Sequence, residues 1–166
     1  MKIDHIFIFS DKGKEADELV NAGFSEGSGR HHSGLGTRNR RFFFEDFYLE
    51  ILWVENEEEA KSHPSLGLWE RSNFRMNDFS RFGLCLVNDE KTDQLFENAP
   101  TFQPDYYPEG KQIELFSNMD KPFLPWILES NAPPTTFPDS SCSTFKVKRG
   151  SMRDKKFIIG AVAERT

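Results

Sequence analysis

Two residues able to ligate a metal or move a proton stand inside otherwise apolar segments of this chain: His5 in IDHIFIFS and Glu50 in YLEILWV. Burying a carboxylate without a partner costs several kcal/mol. Glu50 therefore demands a partner, and His5 is a candidate member of the same site. A neutral imidazole and a carboxylate suit Zn²⁺, Ni²⁺, Fe²⁺ or Mn²⁺. Two ligands are not a centre, since a catalytic divalent ion wants three protein ligands and an open position. The competing assignment is structural: His5 is hydrogen-bonded at a strand start, and Glu50 is salt-bridged to Arg38, Arg40 or Arg41.

Between them runs a loop punctuated by Gly27, Gly29, Gly34 and Gly36. It is not a phosphate-cradling P-loop, because the Gly-Lys-Ser/Thr signature is missing. Its His31 and His32 can complete a metal site or carry a proton. Thr37 and Asn39 can hydrogen-bond a polar ligand head, or simply tie the loop down. Arg38, with Arg30, Arg40 and Arg41, can draw in a small anion or form a solvated charged edge. No Ser/His/Asp or Cys/His nucleophile arrangement stands out, and His63, before Pro64, reads as surface.

The elements that must position these groups follow from hydrophobic periodicity. Residues 3–9 read as a strand in which His5, Phe7 and Phe9 share a face. Ser10 or Asp11 caps a helix with Ala16, Leu19 and Val20 on one stripe, and Gly23 closes it. Phe24–Ser28 reads as a short strand. Residues 41–44 and 47–54 form two strands about a Glu45-Asp46 turn, with Tyr48, Glu50, Leu52 and Val54 on one face. The pattern then repeats about 78 residues on. Phe82–Val87 is a strand, Asn88 or Asp89 caps a helix through Thr92, Leu95, Phe96 and Ala99, and Phe102, Gln112–Ser117 and Phe123–Glu129 supply further strands. Residues 55–80 connect the units, with helical turns around Leu66–Arg71. After Ser130 comes a Pro-rich loop, then a hairpin of Thr144–Lys148 and Lys156–Ala163.

A net charge of −6 and a pI of about 5.3 argue against nucleic acid as the main partner. Seventeen Phe give a short chain ample apolar area for a core and for the walls of a small-molecule pocket. Cys85 and Cys142 make neither a disulfide framework nor a zinc spacing, and Cys85 reads as a small buried hydrophobe. The opening MKIDHIF is strand-like, without a leader or an 18-residue apolar run, so a cytoplasmic chain that does not enter a membrane is expected.

Asp4-His5, the loop His32-Ser33-Gly34-Leu35-Gly36-Thr37-Arg38-Asn39 and the strand Tyr48-Leu49-Glu50-Ile51 together resemble the glyoxalase-like branch of the vicinal oxygen chelate superfamily, which includes glyoxalase, bleomycin resistance and dioxygenase-like proteins. KPFLPWILE, residues 121–129, resembles the corresponding strand of its second half. The resemblance implies an α+β fold of two βαβββ modules forming a cupped half-barrel around a central pocket. It implies one domain over residues 1–166: module one about 1–55, a connector 56–80, module two about 81–130, and a C-terminal loop and hairpin 131–166. It implies metal ligands from the first and last strands of each module: His5, Glu50 and Glu129. The position matching His5 in module two falls near Leu84, which offers no ligand. Glu50 and His32 are then the catalytic candidates, and His31, Thr37, Arg38, Asn39, Phe7, Tyr48 and Trp126 the substrate-binding ones. The expected function is a metal-assisted enzyme, of lyase, isomerase or dioxygenase type, on a small oxygen-rich substrate. The alternative is a metal-free small-molecule binding or sequestering protein of the resistance type. A homodimer is expected in either case.

Overall fold

The computed structural model describes residues 1–116, 118 and 120–131. The Pro-rich segment and the C-terminal hairpin expected after Ser130 lie outside the described residues. Among the described residues eight strands form one mixed sheet in the order β2-β3-β4-β1-β5-β8-β7-β6. They are β1 (Lys2–Phe9), β2 (Arg30–His32), β3 (Thr37–Phe43), β4 (Tyr48–Val54), β5 (Phe82–Val87), β6 (Thr101–Phe102), β7 (Ile113–Leu115) and β8 (Trp126–Ser130). The two halves meet where β1 and β5 run antiparallel, while β1 pairs β4 and β5 pairs β8 in parallel. The result is two four-stranded modules curled into a half-barrel.

Alternation along the strands sorts the apolar residues onto two faces. Phe7, Phe9, Leu52, Cys85, Leu115, Trp126 and Leu128 form the inner cluster, which Leu66 and Leu68 of the connector close from below. Ile51 and Phe42 face the other way and pack with Ala16 under the helix α1 (Lys14–Asn21), with Ile8, Leu19 and Leu49 at the margin. Both faces of β4 are therefore covered, as its near-continuous apolar run requires. Val20 lies outside the stripe and is exposed.

The cap of α1 differs from expectation. Gly13, at φ 76°, occupies the N-cap, and neither Ser10 nor Asp11 caps the helix through its side chain. Ser10 instead donates its hydroxyl to Glu15, which also accepts from Arg81 Nη2 at 2.5 Å, so α1 is pinned to the start of β5. Partial burial would raise the Glu15 pKa, but these hydrogen bonds outweigh it and hold the carboxyl below its ordinary value. A depressed pKa contributes stability above the unfolded value of about 4.3 and loses it as pH falls through the folded value. Glu15→Gln should thus lower stability at neutral pH by less than about 1 kcal/mol, because the pair is partly exposed. Melting curves of the two proteins should converge under acid titration.

Three other expectations are corrected. Phe24–Ser28 is not a strand; it makes one backbone bond to β3, Gly27 N to Arg41 O at 2.8 Å, and the ladder begins at Arg30. β3 begins at Thr37, earlier than the expected residue 41, because the whole Thr37–Phe43 segment pairs with β4. The second helix is absent. Residues 90–98 form successive turns, with Asp89 Oδ1 accepting from Lys91 N at 2.8 Å and Asn98 in the left-handed region at φ 61°. Thr92 and Phe96 are nonetheless buried, so the apolar spacing was real while the helix was not. The connector carries α2 (Glu57–Ser62), capped by Asn56 Oδ1 accepting from Glu58 N and Glu59 N, and α3 (Leu68–Ser72).

Candidate functional site

The concave face holds a cavity of about 500 Å³ whose wall includes Asp4, His5, Thr37, Asn39, Glu50 and Cys85. The parallel register of β1 and β4 sets His5 beside Tyr48, two positions from Glu50. His5 Nε2 lies 3.4 Å from Glu50 Oε2. The imidazole stacks on the Tyr48 ring, centroids 4.5 Å apart, which fixes its plane. A bulge in the β1–β5 pairing between Ile3 and His5 brings Asp4 to the same wall. Asp4 Oδ2 then takes His5 Nδ1 at 2.6 Å. Burial alone would lower the His5 pKa, but Cys85, Asp4 and Glu50 around the ring outweigh it and raise it well above the ordinary imidazole value.

Glu50 is buried, and its partners differ from the arginines that sequence considerations offered. Asn39 Nδ2 donates to Glu50 Oε1. The other end of the Asn39 amide is fixed too, because its Oδ1 accepts from Arg30 N at 2.6 Å. Arg38 pairs with Glu55, Arg40 with Asp17 and Glu26, and Arg41 donates to Ser28 while lying over the Tyr48 and Phe43 rings. His32 Nε2 stands 3.8 Å from Glu50 Oε1, and its Nδ1 contacts Thr37 Oγ1 at 2.9 Å. Burial, reinforced by Arg30, His5 and Arg41 against the opposing pull of Glu50, lowers the His32 pKa. Tyr106 stacks on His32 with centroids 5.3 Å apart and closes that side of the mouth.

The structure thus brings His5, Glu50, His32, Thr37, Asn39, Phe7, Tyr48 and Trp126 to one cavity. Three sequence candidates fall elsewhere. Alternation on β2 and β3 turns His31 and Arg38 to the opposite face, where both contact Glu55 at 3.2 Å. Glu129 is flanked on β8 by Leu128 and Ser130, which line the cavity, so its own side chain points away. It accepts from Asn88 Nδ2 on the outer face.

Register also corrects the module-two positions. The module-two equivalent of His5 is Cys85, one residue beyond Leu84, and His5 and Cys85 also pair across the β1–β5 seam. An offset of 80 residues carries His5 to Cys85, Tyr48 to Leu128 and Glu50 to Ser130, and both cross-strand pairs keep their register. The second half of the cavity therefore presents a thiol and a hydroxyl. Ser130 Oγ lies 3.2 Å from Tyr107 Oη. Burial pushes the Cys85 thiol pKa up, against the pull of His5.

His5 and Glu50 stand at a separation that a divalent ion could bridge. Two N or O ligands bound at about 2.1 Å stand about 3.4 Å apart at a tetrahedral angle, which matches the 3.4 Å between His5 Nε2 and Glu50 Oε2. Among the described residues the three possible ligands that stand together are Asp4, His5 and Cys85, all within 4.8 Å of one another, and Glu50 lies outside that group. Asp4 on His5 Nδ1 has the arrangement of a carboxylate that orients a ligating imidazole from behind. Cys85 and Asp4 were not picked out as site residues from sequence. The strand pairing that sets Cys85 beside His5 and the bulge next to Asp4 both leave no sequence signal.

The family model of the glyoxalase-like domain matches residues 3–93. A comparison with curated protein sequences gives no match. Among solved structures, a hypothetical protein from Staphylococcus aureus aligns with a TM-score of 0.51 at 19% identity, over 80% of this chain and 60% of its own. The chain thus spans three-fifths of that protein's length. A hypothetical protein from Bacillus halodurans aligns at 0.48 and 13% identity, over 78% of this chain and 92% of its own. Methylmalonyl-CoA epimerase from Mycobacterium tuberculosis aligns at 0.48 and 12% identity, over 78% and 86%. At these identities the likeness is one of fold.

Proposed function

We propose a function from the premise that this chain belongs to the glyoxalase-like domain family. It is a metal-assisted enzyme that moves a proton on a small, oxygen-rich substrate, in the manner of an isomerase or lyase. The observation that carries this reading is the 3.4 Å approach of His5 Nε2 to Glu50 Oε2 on the cavity wall. His5 and Glu50 would hold the ion, with Cys85 across the β1–β5 seam as the third donor. A divalent ion there supplies Lewis-acid stabilisation of negative charge developing on the substrate oxygens. Asp4 and Asn39 orient the two ligands. His32, whose pKa burial lowers, is the group that takes the proton, because it faces the same space and its Nδ1 is steadied by Thr37. Phe7 and Trp126 wall the cavity and exclude water from the reacting centre.

The test is solvent exchange. With a divalent metal in D₂O, a panel of 2-hydroxy ketones and 2-oxo acids should contain at least one compound that takes up deuterium next to its carbonyl. Uptake should require both metal and His32. Failure of every compound under these conditions would remove the acid–base reading.

A second reading has its own support. Leu52, Phe102, Tyr106, Leu115 and Leu128 make much of the cavity wall apolar, which suits a metal-free protein that sequesters a small compound. Ligand binding that survives both chelation and Glu50→Gln would favour it. The edges β2 and β6 are the places for a second copy of the chain in the proposed homodimer. No helix among the described residues is long and apolar enough to cross a membrane.

A further inference from the structure

The outer face of module one carries a second depression. Alternation turns Arg38, Arg40 and Trp53 away from Thr37, Asn39 and Glu50. With Lys12, Arg30 and His31 they line a groove of about 730 Å³. One acid, Glu26, stands in the same wall, and it is engaged by Arg40 at 2.5 Å. Arg40 also holds Asp17 at 2.6 Å, and Arg38 and His31 share Glu55. Lys12 and Arg30 differ from these, since neither forms an ion pair among the described residues. The Arg30 guanidinium lies over the Tyr106 ring, 5.7 Å from its centroid.

This basic concentration sits on a chain whose net charge is −6. Its four cations, Lys12, Arg30, Arg38 and Arg40, face three carboxylates, Glu26, Asp17 and Glu55, and the two outside any ion pair, an ammonium and a planar fork, suit the oxygens of a phosphoryl group. Arg30 and Asn39 line both this groove and the central cavity. Edge strand β2 is therefore the crossing between the two spaces. Gly29 borders the groove at that crossing, and a Cβ there would meet Asn39 O at 2.7 Å, so only a bare backbone lets β2 lie this close to β3.

We propose that the groove holds a phosphoryl-bearing extension of the ligand whose oxygen-rich head enters the central cavity, with Arg30 binding it at the crossing and Lys12 beyond. The proposal rests on the reading of the central cavity as the ligand site.

Calorimetric titration of the full chain with inorganic pyrophosphate, at ionic strength held constant with NaCl, tests it. Saturable one-to-one binding is expected. Lys12→Ala and Arg30→Ala should each weaken it about tenfold, and the double variant about a hundredfold. Both side chains are exposed, so the melting temperature should not move. Glu50→Gln should leave pyrophosphate affinity unchanged. Absence of saturation, or equal affinity in the double variant, would overturn the proposal. If solvent exchange fails while pyrophosphate binds and responds to the double variant, the chemistry assigned to the cavity falls and the phosphoryl site stands. The reverse pattern removes the groove alone.

Discussion

Glu50→Gln should abolish metal-dependent turnover and weaken divalent-metal binding by at least about a hundredfold, since removing a ligand exceeds the 10- to 100-fold effect of an outer-shell change. The substitution keeps volume and keeps an oxygen for the Asn39 amide to donate to. It removes the charge that faces His5 and puts an amide NH₂ in place of one carboxylate oxygen. The buried cavity should therefore remain packed, and the melting temperature should shift little. His5→Ala should have the same effect on metal binding, with some loss of stability, because the stacked Tyr48 ring loses its neighbour. Titration of each variant with Zn²⁺ or Ni²⁺, read beside its melting curve, separates loss of the site from loss of the fold. Unchanged metal affinity in Glu50→Gln would show that the carboxylate is a structural partner of Asn39 and nothing more.

The largest effect on stability should come from Gly36→Ala. Gly36 has φ 64°, and a Cβ on it would stand 2.2 Å from Asn56 O and 2.9 Å from Ala60 N. Backbone cannot step aside as a flexible side chain can. The Gly36 carbonyl also accepts from Glu55 N at 2.8 Å and Asn56 N at 3.0 Å, so the loop is tied to the end of β4. Strain in the left-handed region and the clash add, at about 1–3 kcal/mol each. A loss of about 3 kcal/mol or more is expected in denaturant unfolding. The residue that follows is Thr37, the start of the strand that carries Asn39. The Gly34-x-Gly36-Thr-x-Asn spacing thus has a mechanical meaning: the second glycine lets the chain turn against α2 and enter β3 in the register that aims Asn39 at Glu50. Retention of full stability in Gly36→Ala would contradict this.

How much of this was legible in the sequence depends on what each residue needed. His5 and Glu50 could be placed on one face because a strand alternates with a period of two and both sit in apolar runs. The doubled module was legible for the same reason, as periodicity marks the strands even at low identity. Residues 90–98 carry Thr92 and Phe96 buried at helical spacing, yet the chain there runs through successive turns, with Asn98 in the left-handed region at φ 61°. His31 and Arg38 were misplaced because β2 is only three residues long, and its register on β3, invisible in the sequence, decides which face each side chain takes. Glu129 was assigned by analogy with Glu50, but register puts Ser130 in that place. Cys85 shows the opposite error. Apolar surroundings made it read as a core thiol, and only the antiparallel pairing at the seam sets it beside His5.

The central claim is that His5 and Glu50 share one divalent ion at the cavity wall. Titrating the metal-free chain with Co²⁺ and recording its visible spectrum tests this most directly, because intensity reports a low-coordinate site and a sulfur-to-metal charge-transfer band reports Cys85. One equivalent should bind, giving an intense spectrum with that band, with loss of the band in Cys85→Ser and loss of the whole spectrum in Glu50→Gln. A spectrum no different from that of aqueous Co²⁺ at stoichiometric metal would contradict the claim.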